Sequence, residues 1–490
     1  MKKIILMLFV FLMTNQSNIF ATHLMGGQIT VKHLGTDSAL IKLTVYRDNS
    51  GGNATIDTLN GSMVFDIFTN PNCLNAIQSN ISFDYSGMTN IGNNVEEYIF
   101  EKTLSPSLSL ITGNTYLSDS SIADYFIKWE LCCRNLAISN IVNPGSNSMV
   151  LQTKYHSFGV STSNSTPVFL NQPVTTAMVN LPWQYNPLPF DADGDSLYWY
   201  IDTPWNSCQV NCVGYTMPAF SNLDPFAINS STGQITWTPG ALGNWNATIM
   251  VNEYRNGVLI GFIRRDMQII VLDSSAFNTG NKPTFTVGGT TIQNQQQFMF
   301  TIPANQTFNL VTNAIDVDGD DLKITLQGEP FILTNNPATY SVNNGKGAAD
   351  ATLTWNPTAL QARQKMYNLA IRNYEKNDSS VFVNIFDVTV QLKVVETPQN
   401  TSTFHNDAHL MLSPNPANNF ATLQYDAKQV ENTKVIISDI TGKVVKQINF
   451  ISKVGTNGMF IETSNLHNGI YFVQVESNNV KSTNKIVVKH

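Results

Sequence analysis

The 490-residue chain is short of charge. Lys, Arg, Asp and Glu make up 13% of it, about half the usual ~25%. The net charge is −7, so there is no basic face of the kind that holds nucleic acid. Hydrophobic residues reach 42%, enough for real cores, so the low charge does not signal disorder. Catalytic signatures are missing too: no Gly-x-Ser-x-Gly elbow, no His-Glu-x-x-His and no phosphate loop. The seven histidines are scattered. Acid pairs such as Glu96-Glu97 read as solvated loop rather than as a glycosidase pair. Apart from the N-terminus no stretch approaches ~18 apolar residues, so no transmembrane segment is expected in the mature chain. Stretches with a 3.6-residue period are few; Leu360 to Met366 is the one candidate for a helical turn.

At the N-terminus Lys2 and Lys3 precede an apolar run from Ile4 to Met13, then a polar stretch and Ile19-Phe20-Ala21. This pattern predicts a secretory signal peptide over 1–21, cut after Ala21. Export permits disulfides among the five cysteines. Cys208 and Cys212 enclose three residues, and a bond is expected there. Cys132 and Cys133 are adjacent in a strand-like run, so their side chains should point to opposite faces. One of them is then expected to pair with Cys73, leaving the other over. A zinc site is disfavoured, because no second Cys-x-x-Cys and no His stands at ligand spacing.

Strand signals fill the rest. Ala39 to Tyr46 (ALIKLTVY), Tyr125 to Leu131 (YFIKWEL), Met267 to Leu272 (MQIIVL) and Val388 to Val395 (VTVQLKVV) alternate or are β-branched, with Gly, Asn, Asp and Pro between them. The expected fold class is all-β: tandem β-sandwiches with a small C-terminal β-sandwich. The expected divisions are a signal peptide 1–21, an N-terminal β-rich module 22–160, sandwiches over 161–275 and 276–396, a linker 397–408 and a C-terminal unit 409–490.

The middle of the chain carries a divergent repeat. One copy runs Phe190 to Leu197 (FDADGDSL), Ile235 to Pro239 (ITWTP), Val251 to Tyr254 (VNEY), then Asp266. The other runs Ile315 to Leu322 (IDVDGDDL), Leu353 to Pro357 (LTWNP), Ile371 to Tyr374 (IRNY), then Asp387. Spacings from Trp to Tyr are 17 and 19, and from Tyr to the last Asp 12 and 13. Three carboxylates within five residues repel one another unless a cation sits among them. Calcium suits such loops, taking oxygens from carboxylates and carbonyls. The candidate ligands are Asp191, Asp193, Asp195, Glu253 and Asp266 in one copy, and Asp316, Asp318, Asp320 and Asp387 in the other, with Asn373 aligned to Glu253. These are not EF-hands, since Gly stands fourth and position twelve is Asp202 or Gln327. The competing reading is an acidic, solvated turn in which Asp and Gly only supply backbone geometry. Trp237 and Trp355, in apolar strands before Pro, read as core rather than as sugar platforms.

Three resemblances follow from these residues. Leu412 to Ala417 (LSPNPA), Asp439 to Lys443 (DITGK), Leu466 to Val475 (LHNGIYFVQV) and Lys485 to Lys489 (KIVVK) resemble the type A C-terminal sorting domain of the type IX secretion system. That resemblance implies a Bacteroidota-type bacterium, the type IX machinery as partner, passage across the outer membrane and removal of this domain at the surface. His23 to Gly27 (HLMGG), Val45 to Asp48 (VYRD) and Cys132 to Asn135 (CCRN) resemble the N-terminal module of large surface proteins of the same bacteria. Relatives often carry Cys where this chain has Asn49, so one disulfide of that pattern does not carry over. The two middle units resemble cadherin-like or other immunoglobulin-like repeats, which implies calcium-rigidified modules for adhesion or spacing.

The resulting expectation is a non-enzymatic, exported surface protein, adhesin-like or structural, presenting an unidentified glycan or protein ligand site. The alternative is a secreted polysaccharide-binding protein or hydrolase with its site in the N-terminal module. A surface assembly or motility component is a third reading.

Overall fold

The computed structural model describes residues 23–35, 38–49, 63–104, 124–156, 164–221, 224–273, 282–292, 296–376, 382–396, 410–477 and 481–490. The expected signal peptide with Ala21 and the linker 397–408 lie outside these residues.

The described chain is all-β, with short 3-10 turns and no α-helix. No described helix is long and apolar enough to cross a membrane. The expected helical turn near Leu360 is a single 3-10 turn, Ala359–Gln361, closed by a capping box with Thr358. Alternating β-branched and aromatic residues form strands that pack as sandwich-type sheets. Each stretch of chain has its own core. The N-terminal core centres on Phe65, Phe100 and Trp129. The next centres on Trp183, Tyr185 and Trp237, the third on Phe298, Phe300 and Trp355, and the last on Tyr425, Val473 and Ile486. Trp237 and Trp355 are therefore core residues, each donating its indole N–H to a backbone carbonyl, of Ala219 and Asn336.

The sheets do not stop where the sequence units do. The strand Val258–Leu272 pairs along its length with Gly243–Arg255 and also meets Leu24–Gly35 and Met149–His156 from the N-terminal stretch. Being central, it is buried over most of its length on both faces. Gly26 is where this crossing happens. It pairs with Met267, and a Cβ there would lie 2.0 Å from the carbonyl oxygen of Asp266. The Gly-Gly of the N-terminal pattern thus serves close backbone approach. Further along, Trp183–Tyr185 runs parallel to Phe382–Val395, joining the two middle units in one sheet.

The C-terminal unit is seated the same way. Its strand Gly455–Glu462 adds in parallel to Phe308–Ile315, pairing Thr456 with Phe308 and Asn457 with Asn309. Asn309 donates to Val454 O at 2.9 Å, and Thr290 donates to Phe460 O at 2.9 Å. The Phe460 ring is 2% exposed and belongs to the core of the preceding sandwich, with centroids 5.0 Å from Phe298 and 4.8 Å from Phe420.

The cysteines depart from expectation. Cys73 bonds to Cys208, Cys132 bonds to Cys133, and Cys212 is a free buried thiol. The hairpin Trp205–Ser207 and Val210–Asn211 separates Cys208 from Cys212. Cys208 turns toward Gln152, whose amide reaches both sulfurs of the Cys73 bond. Cys212 turns toward Ile138 and Ile141. Cys132 lies past the end of the strand Asp124–Leu131, where the two-face alternation no longer holds.

Phe460→Ala removes a ring shared by two units. It is expected to cost about 3 kcal/mol, in the range for a buried Phe→Ala change, and to lower the denaturant midpoint of the C-terminal half. A loss under about 0.5 kcal/mol, the scale of a surface substitution, would mean that this face is not packed.

Candidate metal centre

Two Asp-x-Asp-Gly-Asp turns fold alike. In the first, Asp191 Oδ1 accepts the backbone N–H of Asp193 at 3.0 Å and of Asp195 at 2.8 Å. In the second, Asp316 Oδ1 accepts from Asp318 at 2.9 Å and Asp320 at 3.1 Å. Gly194 and Gly319 take φ of +88° and +82°, the left-handed conformation such a turn needs. One carboxylate oxygen of the first Asp therefore holds the loop, and the other points inward. Asp191 Oδ2 and Asp316 Oδ2 are buried and accept no hydrogen bond.

A strand then brings a third acid to each turn. Glu253 stands opposite Leu197 and Glu375 opposite Leu322, the Leu that ends each acidic run. Carboxylate oxygens of Asp191, Asp195 and Glu253 lie within 4.8 Å of one another, and so do those of Asp316, Asp320 and Glu375. Both Glu253 oxygens and Glu375 Oε1 are buried without a donor. Glu375 Oε2 accepts from Asn384. Asn373, two residues back on the same face, is fully buried with neither amide atom partnered. The space for Glu253 exists because residue 261 is glycine: a Cβ there would lie 2.0 Å from Glu253 Oε2.

The surroundings are uneven. Arg255 binds Asp195 through two nitrogens, at 2.7 and 2.5 Å. Among the described residues no arginine pairs in this way with Asp191 or Glu253. Two like charges 4.8 Å apart repel by about 3–4 kcal/mol at an effective dielectric of ~20. The turn hydrogen bonds return only about 1 kcal/mol each. The cluster without a cation therefore keeps protons. Burial first, then the charges of Asp191 and Asp195, push Glu253 up to about 9. Burial likewise raises Asp191 to about 6 and Glu375 to about 7.

Four of the expected ligands stand apart. Asp266 is held by Arg134 at 2.7 Å and by Asn246. Asp387 is held by Arg372 at 2.6 Å, and by Asn171 and the backbone N–H of Asn186. Both carboxylates are already matched by a buried guanidinium, so they are not metal ligands. Asp193 and Asp318 are exposed on the turns, and Asp193 accepts the backbone N–H of Ser165 at 2.6 Å. The acid of the second cluster that sequence reading missed is Glu375. Matching Val251 to Tyr254 (VNEY) with Ile371 to Tyr374 (IRNY) aligns Glu253 with Asn373, two residues from its counterpart in the fold. A strand repeats every two residues, so that slip preserves the face and hides the error. Only the strand register opposite Leu322 reveals it, because the stretch from that Leu is three residues shorter in the second copy, 53 against 56.

The family model of the secretion system C-terminal sorting domain matches residues 411–489. No curated protein sequence matches the chain. Among solved structures, dimeric latent PorU from Porphyromonas gingivalis is 12% identical over 66% of this chain and 32% of its own, with a TM-score of 0.16. This chain thus spans about a third of that protein. The fibronectin(III)-like modules of Clostridium thermocellum CbhA are 11% identical over 48% of this chain and 98% of theirs, TM-score 0.15. The N-terminal four Ig domains of Dscam1 isoform 8.4 are 11% identical over 95% and 99%, TM-score 0.16. The matched C-terminal domain marks the chain as a secreted protein, exported by the type IX system across the outer membrane to the cell surface or the extracellular space.

Proposed function

We propose that the chain is an exported, adhesin-like or structural array of cadherin- or immunoglobulin-like β-sandwiches, stiffened by calcium at its two acidic clusters. The observation that carries this reading is the set of buried carboxylate oxygens without a donor: Asp191 Oδ2 with both oxygens of Glu253, and Asp316 Oδ2 with Glu375 Oε1. Hard oxygen donors grouped on a turn fit a calcium ion better than a transition metal. Asp191, Asp195 and Glu253 would hold one ion, and Asp316, Asp320 and Glu375 the other. When bound, the ion neutralises charge that the turn cannot.

The placement of the first cluster supports a bracing role. Asp193 takes its hydrogen bond from Ser165, and Ser165 Oγ accepts from His33 N in the N-terminal stretch at 3.2 Å. Lys365 of the second sandwich donates to Asp195 O at 3.4 Å. The acidic turn thus reaches the N-terminal stretch through Ser165 and the second sandwich through Lys365. An ion ordering it restrains bending between all three, which a surface rod presenting its N-terminal unit can use.

Calcium is expected to raise the thermal midpoint relative to chelator, by about 2.7 kcal/mol per site at a hundredfold excess over Kd. An unchanged midpoint removes the metal from the reading. Glu253→Gln is expected to cut that calcium gain while leaving the chelated protein no less stable, because the amide is neutral without the proton that the buried Glu253 must hold.

The pH dependence has a definite sign. In the chelated protein Glu253 keeps its proton up to about 9, whereas unfolded it loses it near 4.5. Its contribution is thus complete below ~4.5 and is lost as pH rises toward 9. Glu375 and Asp191, held to about 7 and about 6, act in the same direction. Asp195, Arg255 and Tyr155 are the other titratable groups that bear on Glu253. Chelated protein should therefore melt at a higher temperature at pH 5.5 than at pH 8.5. Glu253→Gln should flatten that slope, and a wild-type slope unchanged by the substitution would contradict the assignment.

A further inference from the structure

Among the described residues the C-terminal unit has two sheets; two of their edges are closed, and of the two open ones Met411–Ser413 is only three residues long. Gly455–Glu462 is paired to the preceding sandwich. In the four-stranded sheet, ordered Val444–Ser452, Glu431–Asp439, Gly469–Ser477, Lys481–Val488, the last strand is covered by the segment before it. Ala417 N donates to Val487 O at 2.7 Å and Lys489 N donates to Ala417 O at 2.8 Å. Asn415 adds hydrogen bonds to Val487 N and Lys485 O at 2.9 and 2.8 Å. The strand at the other edge, Val444–Ser452, pairs only with Glu431–Asp439 among the described residues.

That edge is nine residues long and carries no proline. Its exposed apolar residues are Val444, Val445 and Ile451, and Ile451 is 63% exposed. Such an edge invites another strand. Its core-side residues Ile448 and Phe450 are only partly covered, so an added strand would complete the core as well as the ladder.

The order of side chains says which strand fits. Read from Ile448 outward, the solvent face is Gln447 and Asn449, then Lys446 and Phe450 on the core side, then Val445 and Ile451. An antiparallel copy centred on Ile448 sets Val445 against Ile451, Gln447 against Asn449 and Lys446 against Phe450. These are apolar, amide and cation-aromatic matches, with no like charges opposed.

We propose that Val444–Ser452 is a self-pairing edge, by which two copies of the chain dock antiparallel about a twofold axis at Ile448 and join two four-stranded sheets into one of eight. The interaction is a short strand pair, so it is weak and concentration-dependent.

The test uses the full chain. Cross-strand Cα atoms of antiparallel neighbours lie about 4.5–5.5 Å apart, within disulfide reach. Ile448→Cys should therefore give a reducible covalent dimer on mild oxidation. Thr483→Cys, exposed on the covered-edge strand, should give no covalent dimer on oxidation, and neither should the unsubstituted chain. Sedimentation of the unsubstituted chain over a concentration series should show reversible dimer. Val445→Lys with Ile451→Lys opposes lysine to lysine and should return it to monomer with its thermal midpoint kept. A chain that stays monomeric throughout and gives no Ile448→Cys dimer overturns the proposal and leaves the edge to a strand of another protein. Equal cross-linking at Thr483→Cys would overturn it too.

Discussion

A carboxylate oxygen buried without a donor must find a proton or a cation, and this chain gathers three acids at each of two turns. The rest of the site is arranged around that demand. The first Asp of each turn spends one oxygen on the backbone and so aims the other inward. Gly261 leaves the volume that Glu253 occupies. The same protein also uses the opposite solution: Asp266 and Asp387 are equally buried, and each has its own guanidinium, from Arg134 and Arg372. Where an arginine is supplied, the acid is a fixed part of the core. At Asp191 and Glu253, which no arginine pairs among the described residues, burial instead raises the carboxyl groups above their ordinary range.

The sheets are continuous from one stretch of chain to the next. Val258–Leu272, Phe382–Val395 and Gly455–Glu462 each pair with strands from a neighbouring stretch of chain. Neighbouring stretches are therefore joined by hydrogen-bonded ladders as well as by the chain itself. The sorting domain shares this arrangement, since Phe460 is buried in the core of the sandwich before it.

Much of this was legible in the sequence. Alternating β-branched residues and frequent turns announced an all-β chain of sandwiches. The paired acidic runs pointed to Asp191, Asp195, Asp316 and Asp320. The C-terminal pattern pointed to export. What stayed hidden depends on distance along the chain or on register. Arg134 reaches Asp266 across 132 positions, so nothing near Asp266 showed that it was already paired. Glu375 was missed because a two-residue slip in a strand keeps the same face. Cys73 finds Cys208 rather than a nearer thiol, because a hairpin turns Cys208 away from Cys212. The edge Val444–Ser452 is exposed only by where other strands end.

That Cys73–Cys208 bond encloses 135 positions of sequence. A protease that nicks the backbone once anywhere inside this loop opens the ring without parting the molecule. The two fragments stay covalently linked while the surroundings remain oxidising. For a polypeptide exported to the cell surface or beyond, the bond keeps both halves together after a first cut.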